Sequence, residues 1–307
     1  LKGRLGEGDL KHSTMNFREW LLLGVLSILW GGSFFFIKVV VQDLPTLTVV
    51  CGRVGLAAIA LTSFVYLTGQ KMPTSPKIWS SFLVMGILNN LVPFGLIVWG
   101  ETQIDSSLAS ILNATTPIFT VLLAHYLTTE ERLTRTRSIG IAFGFGGVVV
   151  LFGSQLGRGV NLQGLGQLAI LGAAFAYGFS SIYGRRFHKL PSAVAASGML
   201  ICTTIVTLPL VLFFDQPWTL KPRITSWLAL GALGLLSTAI AYLIYFHILG
   251  VAGATNLSLV TFLIPISAIF LGVFFLKERL TWNTFVGMAL IFIGLTAIDG
   301  RLFTSQK

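Results

Sequence analysis

Ten stretches of mostly apolar residues, each long enough to cross a bilayer, dominate this chain. They run over 20–41, 46–67, 79–99, 105–126, 137–153, 165–184, 192–214, 227–249, 254–276 and 283–299. A helix rises 1.5 Å per residue, so about 20 apolar residues span the hydrocarbon layer. The connections are short, and the alternating pattern of barrel strands is absent. The sequence therefore predicts an all-α integral membrane protein with ten transmembrane helices. Composition agrees: 10% of the 307 residues are charged, against about 25% in soluble domains. A soluble enzyme, a nucleic-acid binder and a disordered chain are excluded as first readings. The net charge of +10 sits in short tufts between the apolar runs, a membrane-topology pattern with no nucleic-acid partner implied.

With the N-terminus inside, the inner segments hold 14 basic residues and the outer segments 6, Arg53 lying within a helix. That bias predicts both termini in the cytoplasm and a multi-pass protein of the cell's inner membrane. Residues 1–15 read as a polar N-terminal arm or a non-native remnant, with Met15 a plausible start. Cys51 and Cys202 lie in apolar runs and read as buried thiols. No metal-ligand spacing, nucleophile elbow or paired intramembrane carboxylates occur, so the sequence predicts no enzyme, no cofactor and no metal.

The chain repeats itself. At a shift of 148, Trp79 meets Trp227, Gly86 meets Gly234, Ser110 meets Ser258 and Pro117 meets Pro265. At 147, Glu131-Arg132-Leu133-Thr134 meets Glu278-Arg279-Leu280-Thr281, and Trp30-Gly31 meets Tyr177-Gly178. The expected units are 16–154 and 155–307, each of five helices. An odd number inverts the second copy in the membrane, which is transporter architecture.

These residues also carry a resemblance. Trp30-Gly31-Gly32-Ser33-Phe34 with Lys38, Arg53 with Ala57-Ala58, and the two Pro-then-Glu-Arg-Leu-Thr segments resemble the drug/metabolite transporter superfamily, in its EamA-type ten-helix branch. The resemblance covers residues 16–300. It implies a transporter with helices one, three, four, six, eight and nine around a central cavity, with amino-acid exporters among the relatives.

Several residues could form the site. Helix four carries a polar stripe of Ser106, Ser110, Asn113, Pro117 and Thr120; helix nine carries Ser258, Thr261 and Pro265 at matching places. Either stripe can wall a cavity or bond neighbouring helices. Pro117 and Pro265 each remove a backbone donor and are candidate hinges. Helix three adds Asn90 and Phe94, beside Asn89. Helix eight adds Thr238, Tyr242 and Tyr245; helices one and six add Trp30, Ser33, Phe34, Tyr177 and Ser180. Aromatic walls suit an amphiphilic organic ligand. Arg53 is the charged candidate, either an anchor or a carboxylate binder. His125 and His247 read as packing residues. Asp43, Glu101, Asp105, Asp215, Glu278 and Asp299 all lie near helix ends, so no site for a coupling proton is visible. The partners expected are a small-molecule substrate and the lipid bilayer, with monomer and homodimer both open. The expected function is alternating-access transport of small neutral or zwitterionic metabolites, most of all export of amino acids, aromatic ones included. The alternatives are an exporter of lipophilic cations or drugs and a non-transporting receptor.

Overall fold

The computed structural model describes residues 15–128, 132–153 and 161–299, the side chains of Ala254 and Thr255 excepted. The chain is helical, with spans α1 (Phe17–Val40), α2 (Thr46–Leu67), α3 (Pro76–Glu101), α4 (Ser106–Leu127) and α5 (Arg135–Phe152). They continue as α6 (Leu162–Phe187), α7 (Ser192–Asp215), α8 (Ile224–Gly253), α9 (Val260–Phe275) and α10 (Trp282–Asp299). No strand occurs among the described residues. Nine of these helices have the length and hydropathy to cross a bilayer, and α9 is shorter. The protein is an all-α integral membrane protein. Large apolar side chains such as Phe213 (75% exposed) and Ile59 (69%) face outward, as lipid contact requires.

The helix starts follow local chemistry. Glu19 reaches back to accept the Asn16 backbone N–H, a capping-box contact. Pro76 opens α3 where its missing N–H costs nothing. Residues 1–14, assigned to a polar arm, lie outside the described residues; Met15 packs on an apolar cluster with Leu23, Leu26 and Ile248.

The two halves pack as inverted copies. α3 lies on α6 and α7 as α8 lies on α1 and α2; α1 packs on α9 as α4 packs on α6. The fifth helices, α5 and α10, pair with each other. A Cβ on Gly147 would meet the Gly287 carbonyl at 2.6 Å, and one on Gly140 would meet the Gly294 carbonyl at 2.6 Å. Only glycine permits that approach. The helix-five glycines therefore pack within the chain.

The Trp30-Gly31 and Tyr177-Gly178 repeat has a similar origin. A Cβ on Gly31 would clash with the Ile264 carbonyl of α9 (2.8 Å), and one on Gly178 would press on the Thr120 nitrogen of α4 (3.1 Å).

Two features fall outside the sequence reading. α3 opens into a π-helical turn at Ile87–Leu91, and α8 does so at Leu235–Ile240, the equivalent place in the second half. Such turns insert one residue into a helix and recur at functional sites. The proline positions also differ between halves. α4 is broken between Asn113 and Thr116, with Pro117 in the first turn of the second piece. Pro265 instead lies inside α9, and the chain breaks earlier, at 258–259 and at Gly253 (φ +79°).

Candidate functional site

We call the end where α1 begins proximal and the end where it finishes distal. Around the middle of the bundle the two π-helical turns bring polar side chains together. Asn89 Nδ2 donates to Tyr242 Oη at 3.1 Å, and Tyr242 Oη donates to Asn90 Oδ1 at 3.4 Å. Ser180 Oγ donates to Asn89 Oδ1 at 2.9 Å. Asn90 Nδ2 donates to Thr203 Oγ1 at 3.4 Å. Asn90, Ser180 and Thr203 are buried, so these bonds are what makes their burial tolerable. Four helices, α3, α6, α7 and α8, meet here.

Arg53 is 5% exposed and joins this cluster from α2. Its Nε donates to Thr238 Oγ1 at 2.9 Å, and its guanidinium stacks 3.8 Å over the Phe94 ring. Thr238 in turn donates to the Leu233 carbonyl, five residues back, where the widened turn displaces the usual backbone donor. Tyr177 and Tyr242 lie within electrostatic reach of Arg53. Among the described residues Arg53 forms no ion pair; the stacking and the Thr238 bond offset part of its burial cost. Beside the cluster the Trp30 and Tyr245 rings meet at 5.5 Å.

The structure thus joins Asn90, Ser180, Tyr242, Arg53 and Phe94, sets Tyr177 beside them, and pairs Trp30 with Tyr245. Other candidates stand apart. Ser33 is buried on α1, and Phe34 belongs to the main apolar core. Thr261 donates to the Ser258 carbonyl. Asn113 leaves its Oδ1 buried without a described donor, near the α4 break. His247 is exposed on α8, and His125 Nδ1 accepts from the Leu133 backbone. Thr203 gave no signal in the sequence because it looks like any threonine in an apolar helix.

The distal end is tied by three carboxylates, each at a helix start in the other half. Glu278 accepts from the backbone N–H and hydroxyl of both Ser106 and Ser107 at the start of α4. Asp215 accepts from Thr48 N at 2.8 Å and Oγ1 at 2.7 Å at the start of α2. Asp43 accepts from Arg223 Nε at 2.9 Å and from Ser226 Oγ at the start of α8. Each carboxylate fills unpaired N-terminal donors or an adjacent hydroxyl, and its charge opposes the positive end of the helix dipole. The Arg223 side-chain bond, then Ser226, hold the Asp43 carboxyl down at about 2, from an ordinary 3.8.

The absence of an embedded carboxylate needs correction. Glu101 ends α3, yet it is 0% exposed, and neither carboxylate oxygen has a hydrogen-bond partner among the described residues. Position along the helix hid this, because α4, α6 and the α4-side connection wrap that end. Two cavities lie outside the central cluster. One of about 220 Å³ at the distal end is lined by Asp105, Gln163, Gln167, Arg279 and Thr284, among others. One of about 430 Å³ at the proximal end is lined by Lys77, Ser81, Arg186 and Lys189, among others.

Comparison with known proteins agrees with this architecture. The profile of the EamA-like transporter family matches residues 18–153 and again 164–298. The chain is 25% identical over 282 residues to the uncharacterized transporter YoaV of Bacillus subtilis, covering 90% of this chain and 95% of that one. It is 27% identical to the uncharacterized inner membrane transporter YedA of Escherichia coli, covering 84% of each. It is 25% identical to a probable amino-acid metabolite efflux pump of Escherichia coli, covering 92% and 94%. A solved crystal structure superposes with a TM-score of 0.68 at 20% identity, covering 94% of this chain and 99% of the other, and shares the fold.

Proposed function

Because the chain belongs to the EamA-like transporter family and is a membrane transporter, not an enzyme, we propose that it exports small neutral or zwitterionic metabolites, amino acids first among them, across the inner membrane. The observation that carries this is Arg53, buried beside Tyr177 and Tyr242 where the two π-helical turns meet. A guanidinium with a stacked face and free edge suits a carboxylate. The Trp30–Tyr245 pair supplies an apolar wall for a side chain, aromatic ones included. In this conformation Asn89, Asn90, Ser180 and Tyr242 satisfy one another, and a substrate would exchange those bonds for its own. The relative named a probable amino-acid metabolite efflux pump supports the substrate class.

The buried cation weighs against a lipophilic-cation substrate, which Arg53 would repel. With both termini cytoplasmic, the reading that the basic residues favour, the distal carboxylate ties close the outer side. The two halves would then rock around the cluster, with the π-turns and the α4 break as flexing points. Purified protein in liposomes tests this. Labelled phenylalanine and leucine should cross and compete with each other, and Arg53→Met should lose that flux. Flux of tetraphenylphosphonium without amino-acid flux would sink the substrate class, and flux of neither would sink transport of both classes.

A further inference from the structure

Glu101 is the one carboxylate among the described residues that is wholly buried with both oxygens unpartnered. Its surroundings explain how that comes about. Lys38 of α1 approaches, but its Nζ donates to the backbone carbonyls of Glu101 (2.8 Å) and Ile104 (2.7 Å), not to the carboxylate. The ammonium thus closes the C-terminus of α3 and leaves the acid group aside. On the facing helix, α6, the Gln167 side chain is also buried with an unpartnered Oε1. Gly100 and Gly166 hold the two helices together one residue before each: a Cβ on Gly100 would meet the Gly166 carbonyl at 3.0 Å.

The charged groups facing Glu101 are Lys38 from α1, Arg53 from α2 and Glu278 from the α9–α10 connection. Asp105 lies four residues on and Arg279 beside the neighbouring cavity. Burial and Glu278 push the Asp105 carboxyl upward. An ionised carboxylate with no donor in such a place is far costlier than the neutral acid. A metal cation is a poor alternative: among the described residues no group of three His, Cys, Asp or Glu could hold one. The distal cavity gives a route, since it is lined by Gln103, Ile104, Asp105 and Gln167, residues of the two elements that enclose Glu101.

We propose that Glu101 is a proton-binding site, occupied while the distal end is closed and emptied when that end opens to water, so that opening of the distal end depends on pH. The step is a proton transfer from hydronium in the distal cavity to the Glu101 carboxylate, leaving water and the neutral acid; opening reverses it. Proton binding favours the closed state because only the neutral acid is tolerated there, and a ligand shifts a population by its difference in affinity between states. This site goes beyond the amino-acid reading and depends on it only for the flux measurement below.

Infrared difference spectra of the full chain in liposomes test the site directly. The expected result is a protonated-carboxyl band at pH 7 that Glu101→Gln removes. A wild-type protein with no such band, or a band that survives in Glu101→Gln, overturns the proposal. Should Glu101→Gln not fold, the wild-type band still decides, and Glu101→Asp should shift it. In the flux arm, with equal pH on both sides, each unit of added acidity should slow labelled phenylalanine flux by up to about tenfold, because the neutral acid holds the distal end closed. Glu101→Gln should remove that dependence. Wild-type flux indifferent to pH overturns the linkage. Absence of any phenylalanine flux, with the band assigned to Glu101, supports the proton site and overturns the amino-acid reading instead.

Discussion

Glu278 belongs to the second half of the chain, yet it caps the helix that begins at Ser106 in the first. Its carboxylate takes the Ser106 backbone N–H at 2.8 Å and the Ser106 hydroxyl at 2.7 Å. One acidic residue therefore couples a helix start to the other repeat.

Removing it should loosen the distal end. Losing an N-cap costs about 0.5–2 kcal/mol, a two- to thirtyfold shift in a two-state equilibrium. Glu278→Ala should raise labelling of a cysteine placed at Ile104 by a membrane-impermeant maleimide. Unchanged labelling would mean that the contact does not hold the end closed.

The Asp43–Arg223 tie has a definite pH window. Its folded-state carboxyl is depressed to about 2 from 3.8, so its contribution is complete above 3.8 and is lost as pH falls towards about 2. Melting temperatures in detergent should carry that acid-side loss in the wild type, and Asp43→Asn should remove it. Identical profiles for the two proteins would show that the contact is idle.

The glycine seam between α5 and α10 gives a paired test. Gly147→Ala drives a methyl against the Gly287 carbonyl at 2.6 Å, and overpacking of this kind costs about 1–3 kcal/mol. Its neighbour Gly146 has nothing within 4 Å of a built Cβ. Gly146→Ala should leave the melting temperature almost unchanged, and Gly147→Ala should lower it clearly. Equal effects would place the seam elsewhere.

In the central cluster, Tyr242→Phe removes the hydroxyl that joins Asn89 to Asn90. Asn89 Nδ2 keeps its direct bond to Asn90 Oδ1 at 3.3 Å, so the loss is that of an ordinary hydrogen bond, about 0.5–1.5 kcal/mol. The expectation is a slightly lower melting temperature and amino-acid flux reduced about two- to tenfold. Full flux with reduced stability would make the cluster structural only.

Much of the fold was legible from residue order alone. Length and hydropathy marked nine spans and the shorter α9, whose expected range 254–276 runs across the break at 258–259, and the repeat of Trp30-Gly31 as Tyr177-Gly178 marked helix crossings that the structure explains by close contact. Arg53 stood out because a charge inside an apolar run needs a partner. The rest was hidden for physical reasons. A π-helical turn costs little and leaves no motif, so Asn89 and Thr238 showed as polar residues without a common centre. Thr203 is one threonine among several. Glu101 looked like a helix-end acid at the water boundary, and its burial depends on packing from α6 and the α4 side, which hydropathy along one helix cannot report.

The π-helical turn at Ile87–Leu91 also sets a phase. One residue advances an α-helix by about 100°, so the extra residue offsets the two halves of α3 by that angle. The lower half can follow one set of neighbours while Val92–Glu101 follows another. Deleting a single residue within 87–91 would let α3 close into an uninterrupted α-helix, with Val92–Glu101 still facing its present neighbours. Glu101 would stay buried and Phe94 would stay beneath the Arg53 guanidinium; the loss would fall on the bulged residues, Asn89 and Asn90 among them, and on their bonds to Tyr242.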